Sequence, residues 1–126
     1  MDIRKIELRE TCAEIAAEIA MLDNSRFTNV SMRDISISDA NLSDLKIVGA
    51  QIGGALIQDI GMPDADHPDY DPELKHRPVT FLSCDLNNST FTDCDLSNVR
   101  IEGCTIKGLI INGIAIEKFL DRMQPE

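Results

Sequence analysis

Tryptophan is absent from this sequence, tyrosine occurs once and phenylalanine four times, so aromatic residues make up only 4%. A core built around a few large rings is thereby excluded, although 43% of the residues are apolar, an ordinary fraction for a globular chain. Long apolar runs are missing too, and with them any stretch of about 20 residues able to cross a bilayer as a helix; no membrane partner is expected. Positive charge is scarce: 12 basic residues face 22 acidic ones, for a net charge of −10. Such a chain repels phosphate backbones, so direct nucleic-acid binding is not expected, whereas a basic protein surface would be attracted. With 126 residues the chain is long enough for a single domain with a continuous core. The opening MDIRKIELRE is charged throughout, unlike a secretory signal. The four cysteines are therefore expected to be reduced thiols in the cytoplasm.

What the sequence does contain is a beat of five. Large apolar residues stand at Phe27, Met32, Ile37, Leu42, Ile47, Ile52, Ile57 and Met62, and again at Phe81, Leu86, Phe91, Leu96, Ile101, Ile106, Ile111 and Ile116. Two residues before each is a smaller slot, from Ser25 to Ile60 and from Val79 to Ile114, and neither slot ever holds a charge. A helix repeats at 3.6 and a strand at 2, so neither produces this spacing. The slot two residues after each large one is Asn, Asp or Gly in fourteen of sixteen cases, with Ser83 and Lys118 the exceptions. Those residue types accept left-handed backbone angles and close turns with their own side chains. The chain is therefore expected to turn a corner every fifth residue. Four corners make a square coil of about 20 residues, and coils are expected to stack at about 4.8 Å through backbone hydrogen bonds.

The segments ANLSD (40–44), CDLNN (84–88) and CDLSN (94–98) resemble the pentapeptide-repeat signature: a small residue, Asp or Asn, Leu or Phe, then two polar positions. The resemblance runs from Ser25 to Lys118 apart from one insert, and departs from the pattern by favouring Ile in the large slot. It implies an all-β solenoid, a right-handed quadrilateral parallel β-helix. The register breaks once, between Met62 and Phe81, where MPDADHPDYDPELKHRP holds four of the five prolines. Residues 63–78 are thus expected to be a loop extruded from one corner, with coils 1–2 over 25–62 and coils 3–4 over 79–116, about 19 Å in height.

Solenoid ends need covers. Residues 1–24 are assigned to an N-terminal cap. Thr11 and Glu14 have the T-x-x-E spacing of a capping box, and Cys12, Ile15, Ile19 and Leu22 share a helical face, predicting a helix over about 12–22. Residues 2–8 either extend that helix or run as a short strand. Residues 117–126 are expected to form a short C-terminal helix. Its stripe of Phe119, Leu120 and Met123 serves either as a lid or as the contact of an end-to-end homodimer; otherwise the chain is a monomer.

No constellation points to catalysis, and neither a cofactor nor a metal is expected. Cys84, Cys94 and Cys104 are spaced C-x9-C-x9-C, with no inward His, Asp or Glu to complete a zinc site; they read as buried thiols filling small spaces. A Cys84–Cys104 disulfide is conceivable one coil apart, though a reducing compartment argues against it. Both histidines lie in the insert, near Asp64, Asp66, His67, Asp69, Tyr70 and Asp71, without the D-x-D-x-D-G order of a calcium loop.

Two functions follow from this frame. In the first, the protein is a non-catalytic interaction or scaffold module for an unknown protein partner. It presents one acidic column of Asp39, Asp59 and Asp93, a second of Asp44, Asp64 and Asp95, and the insert. In the second, suggested by the resemblance, it mimics duplex DNA and regulates or protects a type II topoisomerase (gyrase). Duplex DNA would present roughly eleven charges over the same height, against a net −6 on the two acidic sides (Asp39, Asp59, Asp93; then Asp44, Asp64, Asp95, Glu117 and Lys118).

Overall fold

The computed structural model describes residues 3–123, which fall in two units, Met1–Leu56 and Ile57–Glu126. In both, the backbone is organised by corners. Fourteen of the sixteen expected corner positions, from Asn29 to Asp59 and from Ser83 to Gly113, have φ between 51° and 80°. The two that do not are Asp64, inside the insert, and Lys118, inside a helix. Aspartate and asparagine tolerate this left-handed region because their side chains hydrogen-bond locally; Ser83 (φ 56°) adopts it as well.

Corners alternate between two kinds. At Asn24, Asp44, Gly54, Asn88, Asn98 and Gly108 a backbone N–H donates to the carbonyl three residues back, as in Leu45 to Leu42 (3.1 Å) and Leu109 to Ile106 (3.0 Å). Positive φ at the third residue of such a turn makes it type II. The corners between them, at Asn29, Asp39, Gly49 and Asp59 and at Ser83, Asp93 and Gly103, are open bends. Apolar exposure follows the slots. Leu86 and Leu42, which begin closed corners, are 37% and 45% exposed, whereas the off-beat Val48 and Leu82 stand 90% and 80% exposed. The two-slot pattern thus does select one side of the coil.

Unit 2 ends differently from the expected coil. β1 (Ile110–Ile111) and β2 (Ile114–Ala115) pair antiparallel, Ile110 opposite Ala115 and Ile111 opposite Ile114. Asn112 and Gly113 between them have φ 49° and 80°, the two positive values of a type I′ turn. The Ile116 N–H donates to the Leu109 carbonyl at 3.1 Å and closes the base of the hairpin. Helix α1 (Ile116–Met123) follows at once, with Glu117 in its first turn and Arg122 in its last, each placed to suit the helix dipole. The expected C-terminal helix is therefore formed from Ile116; its residues 124–126 lie outside the described ones. Ile106, Leu109 and Ile116, around this junction, are half-buried.

One expectation is corrected: no helix forms over 12–22. Ile19 (φ 50°) and Asn24 (φ 66°) instead carry the five-residue corner rhythm upstream of Ser25, and a right-handed helix cannot contain a left-handed residue. Residues 3–8 are neither helix nor strand; residue 2 lies outside the described ones. Among the described residues no backbone ladder joins one coil to the next within either unit. Apart from β1–β2, α1 and the Ile116–Leu109 bond, the backbone hydrogen bonds span three residues, and none of the described side chains is buried. Corner angles are set inside each pentad. The rise per coil accumulates from small dihedral differences over about 20 residues, so local turn chemistry leaves it open.

Corner strain makes a prediction. A Cβ added at Gly54 (φ 79°) meets no atom within 4 Å, so substitution there is felt through the backbone alone. Gly54→Val should lower unfolding stability by about 1–2 kcal/mol, measured by denaturant titration of the full chain, while Gly54→Asn should cost much less.

Candidate functional site

The signature pentads explain their own chemistry. In each, the Asp or Asn before the large residue accepts from the backbone N–H two positions on: Asn41 from Ser43 (3.1 Å), Asp85 from Asn87 (3.0 Å) and Asp95 from Ser97 (2.9 Å). This Asx turn leads the chain into a closed corner. The Ser43 hydroxyl adds a second donor to Asn41 at 2.6 Å. At Asp95 the Ser97 side chain, and next its backbone N–H, hold the carboxyl below the ordinary aspartate value. Asp95 therefore serves a turn as well as contributing surface charge. This role is a physical reason for Asp or Asn at that slot.

The other acidic column is built differently. Asp39, Asp59 and Asp93 sit at open corners, with φ of 51°, 55° and 56°. All three are exposed, and among the described residues their carboxylates make no hydrogen bond or ion pair. Asp44 occupies a closed corner (φ 65°) and is not without an interaction. Asp64 belongs to the insert, away from the corner rhythm.

The insert is a succession of short turns. His67 donates its N–H to the Asp64 carbonyl (2.9 Å), Tyr70 to His67 (3.0 Å) and Leu74 to Asp71 (3.1 Å). Asp71 also accepts from the Glu73 N–H at 2.9 Å. The His67 Nδ1 accepts from the Asp69 N–H at 3.0 Å and lies 4.0 Å from the Asp69 carboxylate. The two contacts exclude each other: accepting needs a bare Nδ1, pairing needs a protonated one. Asp64, Asp66, His67 and Pro68 line a shallow hollow of about 320 Å³. Among the described residues no group of three or more His, Cys, Asp or Glu side chains is arranged to hold a metal ion.

Phe119, Leu120 and Met123 lie along α1 and are 50%, 42% and 68% exposed. Cys12, Cys84, Cys94 and Cys104 are free and exposed. That corrects the expectation of buried filler, because no following coil covers them. The Cys84, Cys94 and Cys104 thiols donate to the carbonyls of Leu82 (3.4 Å), Thr92 (3.3 Å) and Glu102 (3.3 Å). Each follows an open corner, where the thiol engages a carbonyl beside a corner that lacks the closing backbone bond. The ten-residue cysteine spacing is thus the spacing of open corners.

Left-handed corners every five residues, with two apolar slots between them, define a repeat protein whose side chains are presented at regular intervals. Residues 80–108 match the family model described as Pentapeptide repeats (8 copies). Residues 80–108 thus carry pentapeptide repeats, which generally build β-helical solenoids. No curated protein and no solved structure matches the chain. Among the described residues no helix is long and apolar enough to cross a membrane.

The Asp95 turn is testable by pH. Its folded value is lowered, so its stabilising contribution is present above the ordinary aspartate value and is lost as pH falls through the lowered one. Carboxyl NMR titration should find Asp95 below 3.8, and Ser97→Ala should move it back towards that value.

Proposed function

We propose that this protein is a non-catalytic pentapeptide-repeat interaction module that offers its open-corner carboxylates, Asp39, Asp59 and Asp93, to a basic protein surface. The observation that carries this reading is the contrast between the two acidic columns. Asp95 is engaged by its own turn and Asp44 has an interaction of its own, whereas Asp39, Asp59 and Asp93 are exposed and uncommitted among the described residues. Because their φ angles are set by the corner, the three side chains leave the backbone in a common local frame. Net charge of −10 steers a cationic partner towards them.

In the working form of this reading, the coils within each unit stack as a right-handed quadrilateral β-helix. The driving force is the row of slot side chains left part-exposed, from Phe27 at 60% to Ile101 at 56%. Fully burying one such side chain is worth about 1.5–3 kcal/mol, and stacking covers many together. Amide exchange should show slow N–H groups recurring along both halves; uniformly fast exchange there would remove the stacked form.

The interaction surface is tested by the triple substitution Asp39→Asn, Asp59→Asn and Asp93→Asn, which keeps a residue tolerant of left-handed angles while removing three charges. Affinity for an immobilised lysine-rich protein probe should fall at least tenfold at low salt. Denaturation midpoints should stay close to those of the parent. Unchanged affinity would exclude this column as the surface.

A further inference from the structure

We propose that Asn112–Gly113, the turn between β1 and β2, is a site of spontaneous deamidation, and that the isoaspartate formed there uncouples α1 from the hairpin. The reaction needs neither stacked coils nor a partner, so it goes beyond the interaction reading above. Of the asparagines in the chain, Asn112 alone is followed by glycine. Leu or Val follows Asn29, Asn41 and Asn98, Asn follows Asn87, and Ser follows Asn24 and Asn88. Deamidation begins when the backbone nitrogen of the next residue attacks the side-chain carboxamide, and a side chain on that residue hinders the approach. Gly113 has none, and even a Cβ built on it would meet no atom within 4 Å.

The placement adds what the dipeptide alone does not show. Asn112 and Gly113 are exposed, and among the described residues the Gly113 N–H has no acceptor. The strands are held by Ile110 opposite Ala115 and Ile111 opposite Ile114, with the Ile116 N–H to Leu109 carbonyl bond at their base. A two-stranded hairpin is marginally stable by itself, and such elements open locally more often than a core does. Attack requires the Asn112 Cα–C bond to rotate out of the turn conformation, and opening supplies that rotation.

The Gly113 nitrogen gives its proton to solvent and attacks the Asn112 Cγ. An N–Cγ bond forms, the Cγ–Nδ2 bond breaks and ammonia leaves, closing a succinimide ring. Water then adds to one of the two ring carbonyls. Addition at Cγ gives aspartate; addition at the backbone carbonyl gives isoaspartate, in which the main chain runs through the side-chain carbon. Ammonia leaves and water enters, with nothing oxidised or reduced. Either product adds a negative charge. Isoaspartate also inserts a methylene into the main chain between the strands. A two-residue type I′ turn has no room for that extra atom while Ile111 stays opposite Ile114. Because α1 starts at Ile116, the residue that closes the hairpin base, loss of register frees the helix.

The full chain is incubated warm at mildly alkaline pH, and peptide maps score each asparagine for amide-to-acid exchange and each product for isoaspartate. Conversion at Asn112 should be faster than at Asn24 or Asn88 by about tenfold or more, since glycine offers no Cβ to the attack. Isoaspartate should be the larger product. Denaturant should speed the reaction, and Gly113→Ala should slow it even in denaturant, where the fold plays no part. In the isoaspartate form, separated from the parent, the Ile114 and Ile116 N–H groups should exchange faster than in the parent. Conversion at Asn112 no faster than at Asn88, or seen only in denaturant, would overturn the site. Unchanged exchange at Ile114 and Ile116 would overturn the uncoupling.

Discussion

Everything regular in this molecule depends on placing a residue in the left-handed backbone region once every five positions. That single constraint reverses the sense of the chain often enough to make a coil. It also places the apolar slots and the corner residues at separate, regularly repeating positions along the chain. Most residues resist φ near +60° by about 1–2 kcal/mol. A repeat of such corners is therefore tolerable only where Asn, Asp or Gly recur in register, as they do from Asn29 to Asp59 and from Asn88 to Gly113.

The corners come in two kinds, and the difference is chemical. Closed corners are held by a backbone hydrogen bond, assisted in the signature pentads by an Asx turn from Asn41, Asp85 or Asp95. Open corners lack that bond. In the second half each open corner is followed by a cysteine whose thiol reaches a nearby carbonyl. The Asx-turn carboxylates of Asp85 and Asp95 are used by the backbone; those at the open corners remain for something else. Function and turn chemistry are thus divided along the same alternation.

Some of the architecture was readable in the linear order, and some was hidden for identifiable reasons. The Asn/Asp/Gly slot predicted the corner positions residue by residue because left-handed tolerance is a local property. The helix expected over 12–22 failed because its evidence was degenerate. Cys12, Ile15 and Leu22 fit a helical stripe and also fall in the apolar slots of the five-residue beat extended upstream. Ile19, counted for the helix, instead stands at a corner with φ 50°. The hairpin carried an audible signal, Asn112–Gly113 between apolar residues, but Gly113 also lies on the corner beat and was absorbed into it. Asp95 was counted as surface charge because its bond to Ser97 depends on a turn not visible until the backbone is traced.

What the order of residues determined by itself was the place of nearly every corner and the sidedness of the coil, since each is decided within five residues by steric tolerance and hydrophobic pattern. What only the tertiary structure decided was where the rhythm stops and which carboxylates and thiols have partners. Antiparallel pairing of Ile110–Ile111 with Ile114–Ala115 ends the coil and leads directly into α1. These outcomes arise from bonds between groups whose separation is set by the path of the chain, and no single pentad contains that path.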